Sequence, residues 1–433
     1  MSIKRFKKLY IKNIKYYSSN DKNFKKGYIY VEDGIIQKIA KTDFLKDDKD
    51  VLTIESQDSM YLLPAFFDMH VHFRDFKESN KETIETGALA AFYGGFTGVA
   101  IMPNTNPPID NPSIIKDILK KAEKTPIDIY PIASITQERK GEFLSEMLTL
   151  KEAGAIAFSD DGDSILNTEI MINALKYASM FDGLIISHCE DPFLKGGHIN
   201  EGKVSSKWGI KGIPPISESI YVYRDAVIAE YLNYKIHIAH VSTKYSVEVI
   251  EMMKKKGVKI TSETTPHYIS LTEDALLEKL DGNLKMNPPL RTEEDRKAII
   301  EGIKNGVIDV IATDHAPHTP SQKDNEFELA KFGVIGLETA FNVVCDILYH
   351  KEKLPLTKIV ELLSINPRKI LGLKEIKIKE GETVNFTIVD IEKSIKIDKN
   401  KFHSRSKNSP FIGMEFKGDV LYTFYKNKYV RKD

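Results

Sequence analysis

A chain of 433 residues exceeds the size at which one core usually stops growing, so it implies several domains or one large α/β barrel with attachments. Lys plus Arg and Asp plus Glu both total 62, and the resulting formal charge of zero argues against a partner held by bulk charge, such as nucleic acid. Two cysteines, Cys189 and Cys345, are too few for a disulfide scaffold, and no run of about 18 apolar residues offers a membrane span, so the expectation is a soluble cytoplasmic protein.

Residues 1–63 read as short strands, "KLYIKNI", "GYIYVEDGIIQKIA" and "DVLTIE", with Asp33-Gly34 as a hairpin signal between two alternating runs. After Pro64 the texture changes. The stretch "FFDMHVHFRD" places Asp68, His70, His72 and Arg74 at every second position, with Met69, Val71 and Phe73 between them. In a strand the polar four share one wall and the apolar three the other. Such a wall either faces water or lines a site where two imidazoles, about 6.5 Å apart along the strand, reach a metal. A His-x-His pair alone does not decide between the two.

Further on, β-rich runs alternate with amphipathic ones. The strands are "TGVAIM", "IDIYPIAS", "AIAFSD", "LIISHCE", "KIHIAHVS", "VKITSET" and "VIDVIATD", and between them lie helices such as "NKETIETGALAAFYGG" and "ISESIYVYRDAVIAEYL". Ser79 and Glu82 suggest a capping box for the first helix, and Gly94-Gly95 its stop. With the His-x-His strand this gives about eight parallel strands, hence a (β/α)8 TIM barrel. A doubly wound sheet is less economical, because no Gly-rich dinucleotide turn follows the first strand. Residues 356–373 read as terminal helices, and "IKIKEGETVNFTIVDIEKSIKI" and "GDVLYTFYKNKYV" return to strands. The expected organisation is a barrel over residues 64–373 and one small β-sandwich built jointly from residues 1–63 and 374–433, neither of which is large enough to bury a core alone.

Barrel enzymes carry their chemistry where strands end. Here the strand ends supply His70 and His72, the Asp160-Asp161 pair, His188, His240 and Asp314. Nitrogen and oxygen ligands without thiolates suit Zn²⁺ more than Mn²⁺, Co²⁺ or Fe²⁺, and a carboxylate able to bridge suits two ions. Such a centre generates hydroxide near neutral pH and polarises a carbonyl, as hydrolysis of an amide, ester or cyclic ureide requires. Adjacent aspartates face opposite ways, so at most one of Asp160 and Asp161 bridges and the other is free to cap a turn; spacing does not choose. Cys189 points away from His188 and reads as packing, His237 as structural, and His267 as a residue behind the ligands.

These motifs, "DMHVHFRD", "MPNTNP", "AFSDDG", "SHCED", "AHVST", "ETTPHY", "MNPPLR", "ATDHAPH", "FGVIGLET" and "NPRKILGL" with "IKEGETVNFTIVD", together resemble dihydroorotase of the amidohydrolase superfamily, in its bacterial group that bridges metals with an aspartate. The resemblance implies metal ligands at His70, His72, Asp161, His188, His240 and Asp314, with Asp161 bridging and Asp314 also the general base. It implies one or two Zn²⁺ ions per subunit, two being expected. It further implies that Arg74, Asn104 and His318 hold the substrate carboxylate, while Asn287 and the backbone around Phe332 and Gly333 hold its ring. The implied reaction is the reversible cyclisation of N-carbamoyl-L-aspartate to L-dihydroorotate in pyrimidine synthesis. A homodimer is expected, and aspartate transcarbamoylase is a partner of some relatives. Ala65 where a glycine is usual, and "RDFKES" after His72, depart from the pattern without removing a ligand. Allantoinases and hydantoinases are the nearest alternative, but they carry a carboxylated lysine on the fourth strand, and "AIAFSDDG" has none. A catalytically dead scaffold is the alternative of another class, and dead copies typically lose ligands.

Overall fold

The computed structural model describes residues 3–46 and 48–432. Residues from both ends of the chain build one nine-stranded sheet. Lys8–Ser18, Asn23–Glu32 and Ile35–Ala40 form an antiparallel meander, whose second turn holds Asp33 and Gly34 at φ of 50° and 76°. That left-handed pair is what a two-residue hairpin turn requires. The joint between the two ends is Met60–Pro64, which pairs antiparallel with Asn385–Lys396, Leu62 opposite Ile388. Glu415–Tyr425 and Lys428–Arg431 continue the sheet.

Between these segments lie eight parallel strands: Phe66–Val71, Phe96–Ile101, Asp128–Ala133, Ala157–Phe158, Ile186–Ser187, Ile236–Ile238, Ile260–Thr264 and Val310–Ile311. They form two four-stranded sheets, and parallel bridges from Phe158 to Ile185 and from Val71 to His315 close them into a barrel. The fold is a (β/α)8 barrel carrying a β-domain made by the terminal segments. A buried cluster including Phe67, Ala100, Ile132, Ala157, Ile186, Ala239 and Val310 draws on one strand after another and packs apart from the main core. Helices such as Ile216–Leu232 and Lys244–Lys255 cover the outside. Among the described residues no helix is long and apolar enough to cross a membrane.

Three local expectations are corrected. The first helix begins at Ile84, capped by Thr83, whose hydroxyl accepts from the Thr86 N–H while Thr86 reaches back to the Thr83 N–H. Ser79 and Glu82 precede it, and Glu82 is drawn off by partners from elsewhere in the chain. Strict alternation fails on the first strand, where the ladder shifts register between Asp68 and Val71. Met69 therefore joins the Phe67 cluster, whereas Val71 and Phe73 join the main core. Finally, residues 376–384 carry only a single bridge, Thr383 to Ile35, before the strand starts at Asn385.

Candidate metal centre

The barrel strands deliver their polar ends to one cleft of about 180 Å³, lined by His72, Arg74, Asn104, Asp161, His188, His240, Asn287, Asp314, Phe332 and Gly333 among others. His70 lies at its floor, fully buried. Asp161 is the hub. Its Oδ1 stands 3.4 Å from His70 Nε2, 3.5 Å from His188 Nδ1 and 3.4 Å from His240 Nε2, and its Oδ2 stands 3.5 Å from His72 Nε2. Asp314 Oδ1 lies 2.8 Å from His72 Nε2 and 3.6 Å from His70 Nε2. Two sets, His70 with His72 and Asp314, and His70 with Asp161 and His240, place their ligand atoms close enough to share an ion.

Asp160 faces the other way. Its carboxylate accepts from the N–H groups of Ile135 and Thr136 and from the Thr136 hydroxyl, so it fastens the turn after the third strand. Burial outweighs those bonds and pushes its carboxyl up to about 6.

The far nitrogens of the imidazoles are held in place. His70 Nδ1 lies 2.6 Å from Glu263 Oε1, and His72 Nδ1 lies 2.7 Å from Asn104 Oδ1. Each contact leaves Nε2 as the nitrogen turned towards Asp161. Glu190 stands 3.3 Å from His188 Nε2 and accepts from Asn287 Nδ2 at 3.0 Å. Glu263 also lies 3.4 Å from His237 Nε2.

The donor set fits a divalent cation. His70 Nε2 and Asp161 Oδ1 are fully buried with no hydrogen-bond partner among the described residues, a costly state for polar atoms that an ion would relieve. Burial opposes charge on His70, yet Asp161 and Glu263 outweigh it and raise that imidazole well above its ordinary range. Burial likewise opposes charge on His188, but Asp161 and Glu190 raise it to about 9. A cavity that pulls positive charge onto buried histidines is one whose carboxylates need a cation.

Residues 59–246 match the family model described as Dihydro-orotase-like. The dihydroorotase of Acetivibrio thermocellus is 46% identical over 407 residues, 94% of each chain, and that of Caldicellulosiruptor saccharolyticus is 44% identical over 425 residues, 98% of each. The chain belongs to the dihydroorotase family. It is thus an enzyme of the cyclic amidohydrolase class. The L-hydantoinase (dihydropyrimidinase) from Arthrobacter aurescens shares the architecture, with a TM-score of 0.83 at 22% identity over 98% of this chain and 96% of its own.

Within this dihydroorotase-family chain, the cleft gathers all the residues singled out from sequence except two. His70 forms its floor, and His318 stands behind Gly333, its Nε2 2.7 Å from the Phe332 carbonyl oxygen. With Nε2–H donating there, Nδ1 is left as an acceptor, and burial first, then the nearby Arg74, hold the ring neutral down to about 2. In this rotamer His318 fixes the Phe332 peptide, and its Nδ1 has no hydrogen-bond partner among the described residues. Arg74 is buried at the cleft, and its Nε has no partner among the described residues. His237 Nδ1 lies 2.8 Å from the Thr261 hydroxyl, His267 is buried, and Cys189 is a buried thiol pushed up by desolvation, beside Ser187 and Asp225.

Sequence reading missed Glu263 and Glu190. Glu263 lies inside an apolar barrel strand and Glu190 three residues past the end of another, both within runs that read as strands, and that misfit was the available signal.

Proposed function

We propose that the enzyme interconverts L-dihydroorotate plus water and N-carbamoyl-L-aspartate, serving pyrimidine biosynthesis. The observation that carries the reading is the meeting of His70, His72, His188 and His240 around Asp161, with Asp314, Arg74 and Asn104 on the same cleft. Near-full-length likeness to proteins named dihydroorotase supports the substrate.

His70, His72, Asp161, His188, His240 and Asp314 would hold zinc, two ions being the expectation. Bound there, zinc would supply Lewis-acid polarisation of the ring carbonyl and a nucleophile at neutral pH. Burial would raise the Asp314 carboxyl, but the His72 hydrogen bond and the surrounding imidazoles outweigh it and hold it at about 2. Asp314 is therefore ionised at working pH and takes the proton from the attacking water, then returns it to the departing ring nitrogen. In the direction of cyclisation it takes the proton from the ureido nitrogen and gives it to the oxygen that leaves as water.

Arg74, Asn104 and His318 bind the substrate carboxylate, Arg74 through its planar fork. Asn287 and the backbone of Phe332 and Gly333 meet the ring, and His318 supports them by holding the Phe332 carbonyl. A hydantoinase-type centre is disfavoured by the position of Lys151, an exposed side chain that donates to the Phe181 carbonyl outside the barrel.

Division of the chain at residues 63 and 373, a homodimer and a cytoplasmic setting complete the reading; the buried free thiols of Cys189 and Cys345 agree with a reducing compartment. Association with aspartate transcarbamoylase is tested by mixing the two proteins. The deciding experiment is a spectrophotometric assay with dihydroorotate in both directions, with allantoin and hydantoin as controls. Turnover of either control in preference to dihydroorotate would overturn the assignment.

A further inference from the structure

The peptide between Phe332 and Gly333 forms one wall of the cleft, yet little in its own sequence fixes it. Gly333 has φ of +125°, a conformation other residues rarely adopt, and a Cβ there would lie 2.8 Å from Ala316 Cβ and 3.0 Å from His318 Nε2. His318 meets the peptide's carbonyl, and the carbonyls that flank it meet two further buried side chains.

Lys323 Nζ lies 3.0 Å from the Lys285 carbonyl, 2.7 Å from that of Lys331 and 2.8 Å from that of Gly333. An ammonium has three donors, and each meets one of these carbonyls. Asn408 comes from the segment between the last long strands of the terminal sheet. Its Nδ2 donates to the carbonyls of Ala316 at 3.2 Å and Gly333 at 3.1 Å, while its Oδ1 accepts from the His318 N–H at 3.1 Å. The Gly333 carbonyl thus takes both side chains, and the Gly333 N–H is spent on the Lys285 carbonyl at 3.0 Å. Among the described residues the Phe332 N–H has no acceptor. Burying an ammonium is costly, and a methionine would fill the same space without that cost.

We propose that Lys323 and Asn408 are positioning residues for substrate recognition: Lys323 grips the Lys331 and Gly333 carbonyls on either side of the Phe332–Gly333 peptide, and Asn408 grips the Gly333 carbonyl and the His318 N–H, so that a side chain from the C-terminal segment completes the barrel's active site. The proposal rests on the dihydroorotase reading of that cleft. Neither residue touches the zinc ligands, so their loss weakens recognition and spares the metal centre.

The test uses the zinc-loaded full chain and its variants Asn408→Ala, Lys323→Met and the double variant, with steady-state kinetics on dihydroorotate, zinc content, and amide hydrogen exchange across residues 331–334. The expected result is a rise in KM of roughly tenfold or more in each single variant, the scale of one lost hydrogen bond to a recognition group, with kcat within about threefold and zinc content unchanged. Because both side chains hold one carbonyl, the double variant should raise KM by less than the product of the singles. Exchange across residues 331–334 should quicken in each. Wild-type KM and exchange in folded Asn408→Ala would overturn the proposal, as would a fall in kcat that tracks loss of zinc. If Lys323→Met does not fold, Asn408→Ala decides alone. If the wild-type protein fails to turn over dihydroorotate, the functional reading falls, and unchanged exchange in Asn408→Ala would separately sink the positioning role.

Discussion

Single side chains set the chemistry, and their roles separate by what each substitution should change. Asp314→Asn keeps the size and loses the base, so turnover should fall by roughly 10²–10⁴-fold while the protein stays folded; near-normal kcat would remove Asp314 from that role. Arg74→Ala should raise KM by about 10–150-fold, the scale of one hydrogen bond to a charged group, with a smaller change in kcat. Glu263→Gln keeps the contact to His70 Nδ1 but not its charge, and competition with a chromogenic chelator should show zinc affinity weakened about 10–100-fold. The ligand types were legible in the sequence because polar residues at the ends of apolar strands are conspicuous. The choice between Asp160 and Asp161 was not legible from spacing, since it depends on where Ile135 and Thr136 present their N–H groups.

At the scale of elements, the first helix shows how distant partners override a local signal. Ser79 and Glu82 have the spacing of a capping box, but Glu82 instead accepts from Ser404, Thr86 and the Arg405 N–H, with His315 Nε2 at 3.4 Å. It ties the helix entrance to the C-terminal segment that also carries Asn408. Burial alone would raise this carboxyl, but His315 and the hydroxyls outweigh it and hold it below its ordinary 4.5. A carboxyl titrating lower in the folded protein stabilises the fold above that pH and loses its contribution as pH falls below it. Glu82→Gln should therefore cost about 1–3 kcal/mol near neutrality and give a flatter decline in Tm between pH 5 and 3. An unchanged acid slope would show that the network does not titrate as a unit. Barrel strands such as Ala157–Phe158 and Ile186–Ser187 are much shorter than the apolar runs that announced them, because only part of each run meets its neighbour's backbone in register.

Over the whole molecule, the terminal sheet is fastened to the barrel as well as to itself. The Tyr425 hydroxyl donates to Asp128 Oδ2 at 2.6 Å, joining a terminal-sheet strand to the third barrel strand. Tyr425→Phe should lower stability by about 1–2 kcal/mol in denaturant titrations and leave KM unchanged. Zn²⁺ added to chelator-treated protein should raise Tm, since a ligand present at 100–1,000 times its Kd adds about 2.7–4.1 kcal/mol; an unchanged Tm would count against zinc at this centre. The sequence by itself determined the alternation of strands and helices, the parallel barrel and the histidines and aspartates on its rim, because strand period and strand order are local properties and parallel order puts every strand end on one face. The motif resemblance already pointed to Asp161, but only the tertiary structure showed that Asp160 is taken up by the Ile135 and Thr136 N–H groups, that Glu263 backs His70, and that Lys323 and Asn408 grip one carbonyl. Those outcomes rest on hydrogen bonds between groups far apart in the chain, whose meeting depends on the whole barrel closing and on nothing in the residues' own neighbourhoods.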